Sequence, residues 1–312
     1  MLKDETASLD GYMYNRHLRP RGEAPGDDAP PRGKDVRIAT SDGISLAATT
    51  WDPPGRGREH VVVLASATGV LRNYYAPFAA WLSTQGFAVV TFDYRGMGES
   101  RSEAAAPSMH DWGELDLASV HAWAAATFGD GRAALIGHSV GGQLVGLLPE
   151  SARVSALVTV GSQSGDWRLW PLPSRLAMAV LWYVVVPGVT HAVGYLPGAL
   201  GIGEDLPAGV ALEWASWCRT PGYLAGEGFE GRRAGFARLD APVLAYGFDD
   251  DGYAPRAAVD ALHAFYVGAK VERRQLGREA GRFGHFGFFR ERHRALWRDV
   301  AAFLETTIAQ AA

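Results

Sequence analysis

Four short apolar runs limit this chain to one broad kind of fold. They are His60-Val-Val-Val-Leu-Ala65, Phe87-Ala-Val-Val-Thr-Phe92, Arg132-Ala-Ala-Leu-Ile136 and Val154-Ser-Ala-Leu-Val-Thr-Val160. A strand with one face in water alternates polar and apolar residues. A run without clear alternation is buried on both faces, as in a parallel sheet covered by helices. Helical patterns separate the runs: Tyr75–Thr84, with Phe78, Trp81 and Leu82 as its apolar stripe and Gly86 behind it, and Leu115–Ala126. The rhythm returns later, with a strand at Pro242–Tyr246, a helix at Pro255–Val267, a strand at Val271–Leu276 and a last helix from about Arg290 to Ala309. Ahead of it all, Asp35–Thr40 and Ile44–Trp51 alternate around Ser41-Asp42-Gly43, which predicts a hairpin. Strands and helices alternating at this spacing predict an α/β fold, a doubly wound and mainly parallel sheet of about eight strands.

Between Ser162 and about Ala237 the rhythm fails. That stretch carries Trp167, Trp170, Trp182, Trp214 and Trp217 with Pro and Gly between them. The chain therefore divides into a polar N-terminal tail over residues 1–34, a core over 35–161 and 237–312, and a mostly helical cap inserted over 162–236. The net charge of −4 offers nothing to a nucleic-acid backbone. The single cysteine, Cys218, excludes an internal disulfide framework and reads as a packed core thiol. The first residues, Met1-Leu-Lys-Asp-Glu, lack the apolar stretch of a secretory signal. The longest apolar stretch, Leu176–Val189, is interrupted by Pro187 and falls short of the roughly 18 to 20 residues that span a bilayer. A cytoplasmic protein with no stable membrane insertion is the expectation.

Inside Arg132–Leu148 the sequence passes from a strand through Gly137-His-Ser-Val-Gly141 into a helical pattern expected over Ser139–Leu148. Strand, sharp turn, helix is the setting in which Gly-x-Ser-x-Gly forms a nucleophile elbow. In so tight a turn, side chains two residues before and after the serine would strike neighbouring backbone. In a chain with 38 glycines the pentapeptide alone is weak, and a serine there could instead cap the helix.

Position along the sheet adds the missing weight. In open α/β sheets, ligands bind beyond the carboxyl ends of the strands. After Leu64 comes Ala65-Ser-Ala-Thr-Gly-Val-Leu-Arg-Asn-Tyr-Tyr75. Acyl transfer needs two backbone N–H groups aimed at a developing oxyanion, and Val140 and Thr68 are placed to supply them. Asp93-Tyr-Arg-Gly-Met-Gly-Glu-Ser100 is expected to be structural, with Asp93 and Arg95 tying down nearby turns. Gly247-Phe-Asp-Asp-Asp-Gly-Tyr-Ala-Pro255 follows the penultimate strand and offers an acid, with three aspartates leaving its register open. Gly281-Arg-Phe-Gly-His285 follows the last strand. Serine, then acid, then histidine after successive strands is the order in which α/β hydrolases carry their triad. His138, beside the serine, reads as a packing residue rather than a second base.

Through Asp93-Tyr-Arg-Gly-Met-Gly-Glu-Ser100, Gly137-His-Ser-Val-Gly141 and Gly284-His-Phe-Gly287 the core resembles the α/β-hydrolase superfamily, over about 200 of the 312 residues. It looks most like the branch of serine aminopeptidases and monoacylglycerol lipases, among predicted hydrolases of unassigned substrate. The resemblance places the acid four residues before a proline, which selects Asp251 ahead of Pro255; counting from Gly247 favours Asp250 instead. Where the family commonly has His-Gly opening the oxyanion loop, this chain has Ser66-Ala67. The implied protein is a serine hydrolase of an ester or thioester with Ser139, His285 and Asp251 as triad. It needs no metal or organic cofactor, and its partner is a small-molecule acyl substrate. Trp170, Trp182 and Trp214 are expected to line an apolar substrate pocket in the cap. The same residues could instead run acyl transfer to an alcohol, or persist in a ligand-binding receptor.

Overall fold

The computed structural model describes residues 31–54, 60–101, 106–129, 131–226 and 230–311. Of the tail expected over 1–34, residues 1–30 lie outside these. Strands β1 (Lys34–Ala39), β2 (Ser45–Trp51), β3 (Val61–Ala65), β4 (Ala88–Phe92), β5 (Ala133–His138), β6 (Val154–Val160), β9 (Val243–Phe248) and β10 (Val271–Leu276) form one sheet. Their order is β1–β2–β4–β3–β5–β6–β9–β10. Strand β2 runs antiparallel to both β1 and β4, and every other pairing is parallel.

Alternate residues of each apolar run serve two separate cores, which is why the runs show no polar face. On β3, Val61, Val63 and Ala65 pack to one side with Leu117, Val120 and Ala124, at and just before α2 (Ala118–Phe128). Val62 and Leu64 pack to the other, against Phe78 and Leu82 of α1 (Ala76–Thr84) and Trp297, Val300 and Leu304 of α8 (Arg294–Ala311). Buried aliphatic and aromatic side chains are each worth about 1.5–3 kcal/mol, so the two layers hold the sheet between them. The edge strand β10, Val-Glu-Arg-Arg-Gln-Leu, carries charges that discourage pairing with another chain. Asp93 and Arg95 hold turns together as expected. Asp93 accepts from the Arg72 amide and guanidinium and from the Glu99 amide, and Arg95 bonds Asp116 and Asp42.

Three elements differ from expectation. The helix expected over Ser139–Leu148 is a single α-turn, α3 (Val140–Gln143), followed by a 3-10 turn, Leu144–Leu147. Gly141, Gly142 and Gly146 weaken helical propensity there, and the close-packed Phe236 ring leaves room only for glycine at 146. The helical run expected from Leu115 begins earlier, at Met109, where Ser108 and Asp111 form a reciprocal capping box, and passes through wider turns over Trp112–Leu117 into α2. Third, the cap's apolar stretch does not stop at Pro187. Ser174–Val193 is one helical run of 20 residues (α4), long and apolar enough by composition to cross a membrane. Wider π-type turns over Leu181–Val185 precede the proline, which then sits at the start of a new α segment, where its missing N–H costs least. Leu176, Val180, Tyr183 and Val184 on this run are half or more exposed. The segment between β6 and β9 continues through a short ladder of β7 (Tyr195–Leu196) with β8 (Leu206–Pro207), then α5 (Ala208–Arg219) and α6 (Glu230–Arg238). Helix α7 (Arg256–His263) joins β9 to β10.

Candidate active site

Ser139 stands between β5 and α3 with φ 51° and ψ −116°. Among the described residues only Tyr223 joins it as a non-glycine at positive φ. Backbone in this region costs a residue with a Cβ about 1–3 kcal/mol. Its two flanking glycines are steric necessities. A Cβ on Gly137 would stand 2.3 Å from the Gly142 nitrogen, and one on Gly141 would stand 2.2 Å from the Ala65 carbonyl oxygen. The turn thus folds back on itself and on the end of β3 at once. As the residue before the first helical position, Ser139 leaves the Val140 N–H without an intrahelical acceptor.

The loops after β9 and β10 meet beside it. His285 Nδ1 is 2.7 Å from Asp251 Oδ2 and donates to it, which leaves Nε2 as the ring's open base position. Asp251 Oδ1 accepts the amides of Tyr253 and Ala254 at 2.8 and 3.0 Å, so both of its oxygens are committed. The other two aspartates have different work. Asp250 accepts the Phe283 amide at 2.9 Å and Asp249 accepts Gln275 Nε2 at 2.7 Å. None caps α7, whose N-terminus lacks a side-chain cap. Of the two rival acids, the structure brings Asp251 to His285 and gives Asp250 to the backbone of the histidine's loop. Asp251 is 5% exposed and His285 8%, so the pair is shielded but its edge is reachable.

Gly161 lies between this pair and the serine. The Ser139 amide donates to Val160 O at 2.9 Å, and Gly161 is the next residue. A Cβ on Gly161 would lie 3.2 Å from Asp251 Oδ2 and 3.3 Å from His285 Cε1 and Nδ1. Serine and imidazole therefore share one backbone floor at the carboxyl end of β6.

His138 and Tyr75, neither singled out for chemistry by the sequence, frame the other side. His138 Nε2 lies 2.8 Å from the His285 carbonyl oxygen, and its Nδ1 lies 2.8 Å from Tyr75 Oη. Tyr75 Oη also accepts the Ala67 amide at 2.9 Å. That bond occupies one amide of the loop after β3 and leaves Thr68 as the next. The Ser66 and Thr68 hydroxyls are buried without a partner among the described residues. Burial holds the His138 imidazole well below the usual histidine range, with the neighbouring His285 adding to the effect.

The three tryptophans expected to line a pocket separate. Trp170 Nε1 donates to the Gly252 carbonyl at 3.0 Å, fastening the segment after β6 to the residue after Asp251. Trp182 and Trp214 pack edge to face with centroids 4.7 Å apart. A polar chain without a sequence signature runs from the inserted segment to the loop that carries Asp251. Tyr223 Oη donates to Gln143 Oε1, Gln143 Nε2 to Gln163 Oε1, and Gln163 Nε2 to the Tyr253 carbonyl. Cys218 is buried, and burial raises its thiol well above the usual range, so it stays protonated. Among the described residues no cluster of His, Cys, Asp and Glu is arranged to hold a metal ion.

A family model described as the alpha/beta hydrolase fold matches residues 59–186. Among curated proteins the chain is 34% identical over 125 residues to an uncharacterized 31.7 kDa protein of the traX-finO intergenic region of Escherichia coli, over 38% of this chain and 42% of that protein. A second match of the same description is 38% identical over 87 residues, 27% of this chain and 29% of that one. The chain thus spans less than half the length of these relatives. Among solved structures, an esterase from Exiguobacterium antarcticum matches at TM-score 0.60 and 16% identity, over 87% of this chain and 100% of that chain. Hypothetical protein PA2218 from Pseudomonas aeruginosa matches at TM-score 0.65 and 16% identity, over 93% and 100%. DcsB in complex with its substrate analogue matches at TM-score 0.64 and 17% identity, over 89% and 100%. At such identities the likeness is one of fold.

Proposed function

We propose that this chain, an α/β hydrolase by its fold, is a serine hydrolase that cleaves a carboxylic ester or thioester through an acyl-enzyme intermediate. One observation carries the reading. Ser139 is held in a strained conformation at the carboxyl edge of the sheet, over the same glycine that floors the His285–Asp251 pair. Strain of this kind persists where the surroundings enforce it, and it collects at functional sites. The esterase among the structural neighbours supports the same class.

His285 Nε2 takes the proton of the Ser139 hydroxyl as Oγ attacks the acyl carbon. Asp251, bonded at Nδ1, fixes the tautomer and stabilises the imidazolium. The Val140 and Thr68 amides donate to the oxyanion, each worth about 3 kcal/mol of transition-state stabilisation. The tetrahedral intermediate expels the alcohol or thiol, which takes the proton back from His285. Water, deprotonated by the same nitrogen, then releases the acid. These steps need no metal or organic cofactor. The cap, fastened beside Asp251 through Trp170, supplies apolar surface, with Trp182 and Trp214 as further acyl contacts.

The test is turnover of p-nitrophenyl esters of graded chain length by wild type and Ser139→Ala. The expected outcome is turnover by wild type that rises beyond acetate, and a loss of at least about a thousandfold in the variant. A variant as active as wild type overturns the reading.

A further inference from the structure

His138 is fully buried with both ring nitrogens bonded, and those bonds have a direction. A carbonyl oxygen can only accept, so the proton facing His285 O sits on His138 Nε2. In a neutral ring Nδ1 is then bare, and the Tyr75 hydroxyl must donate to it. Tyr75 Oη in turn accepts from the Ala67 N–H. Three hydrogen bonds thus point the same way, from the loop after β3 through the start of α1 and the end of β5 to the backbone of His285. Aromatic rings close around the line: Phe289 lies 4.8 Å from Tyr75 and 5.1 Å from His138, centroid to centroid.

We propose that Ala67–Tyr75–His138–His285 is a hydrogen-bonded strut that sets the base at a fixed distance from the oxyanion loop, with His138 and Tyr75 as positioning residues. The inference rests on the serine-hydrolase reading above. Ala67 adjoins Thr68, and His138 adjoins Ser139, so one line of bonds couples three partners in the reaction. A misplacement of about 1 Å among such groups costs on the order of 100-fold in rate. The tautomer is part of the device. Without the Tyr75 hydroxyl, His138 Nδ1 loses its donor and the Ala67 N–H its acceptor, and the line from the oxyanion loop to His285 is cut at its middle. The depressed basicity of the buried ring keeps a second proton off Nδ1.

The experiment compares Tyr75→Phe, His138→Phe and His138→Gln with wild type on one p-nitrophenyl ester, with folding followed by thermal melts. Glutamine can place an amide N–H where Nε2 stands, whereas phenylalanine cannot. Expected are kcat losses of about 10- to 100-fold in both phenylalanine variants with KM within about threefold. His138→Gln should recover to within about fivefold of wild type, and the double phenylalanine variant should be no worse than His138→Phe, because the residues act as one unit. A glutamine variant as poor as the phenylalanine one, losses confined to KM, or multiplying effects overturn the strut. A second readout is independent of turnover and of any variant that fails to fold. Imidazole 15N spectra of wild type should show His138 protonated at Nε2 alone and unchanged from about pH 5 to pH 8. A proton on Nδ1, or titration in that range, overturns the strut even if wild type cleaves no ester. That last result would instead sink the hydrolase reading.

Discussion

Ser139 answers to two opposing demands. Its φ of 51° and ψ of −116° lift the hydroxyl out of the turn, and a side chain in that conformation is strained. Glycine reaches the same angles without the Cβ penalty, whereas alanine keeps it. Ser139→Gly should therefore be more stable than Ser139→Ala by about 1 kcal/mol in urea titration, although neither can form an acyl-enzyme. Equal midpoints would mean that the elbow stores no strain. At this scale the sequence was informative for the serine and its glycines, because their requirement is local and steric. It was uninformative for Tyr75, whose part depends on meeting His138, 63 residues further along the chain.

Loops and strands divide differently. The buried strands were legible because two covered faces leave no polar alternation, a signature that survives without knowledge of the partners. The acid's register was legible only through the family resemblance, which selected Asp251 ahead of Pro255; residue type alone left it open. Asp249, Asp250 and Asp251 are identical in type and adjacent in sequence, and the folded loop separates them by what they meet: Gln275, the Phe283 amide and His285. The distinction makes a clean prediction. Asp251→Asn should lower kcat by about a thousandfold or more, since the amide presents the wrong partner to Nδ1. Asp250→Asn keeps an acceptor for the Phe283 amide and should cost less than about tenfold. Reversal of that order would return the acid's role to Asp250. The short α3 and the helix running through Pro187 escaped the sequence for related reasons. In one, glycine content and a neighbouring Phe236 ring override an apolar period. In the other, wide turns absorb a proline that would otherwise end the run.

Over the whole molecule, burial of uncharged histidines ties stability to pH. His263 on α7 donates from Nδ1 to the Val259 carbonyl at 2.7 Å, and its Nε2 lies 2.8 Å from the Thr159 hydroxyl of β6. Burial pushes its pKa down from 6.5 to about 4. Because the folded value lies below the unfolded one, its contribution is present above about pH 6.5 and is lost as pH falls toward 4. The shift corresponds to about 3 kcal/mol. Urea unfolding of wild type should show that decline, and His263→Leu should show a shallower one. Parallel slopes would contradict the assignment. Burial shifts His121 and His138 in the same direction, so part of the decline should remain in the variant. The segment around α4 shows the opposite economy of charge. Residues 176–203 carry no Asp, Glu, Lys or Arg, and much of α4 faces outward. Such a surface is suited to apolar company, and it stands on the element that Trp170 fastens beside Asp251.

All of this turns on whether the Ser139 oxygen is the group that takes the acyl unit. The most direct measurement is to treat the protein with a fluorophosphonate and locate the adduct by mass spectrometry of its peptides. A single adduct on Ser139 in wild type, greatly slowed in His285→Ala, is the predicted result. An adduct elsewhere, or none under conditions that label an active esterase, would contradict the account.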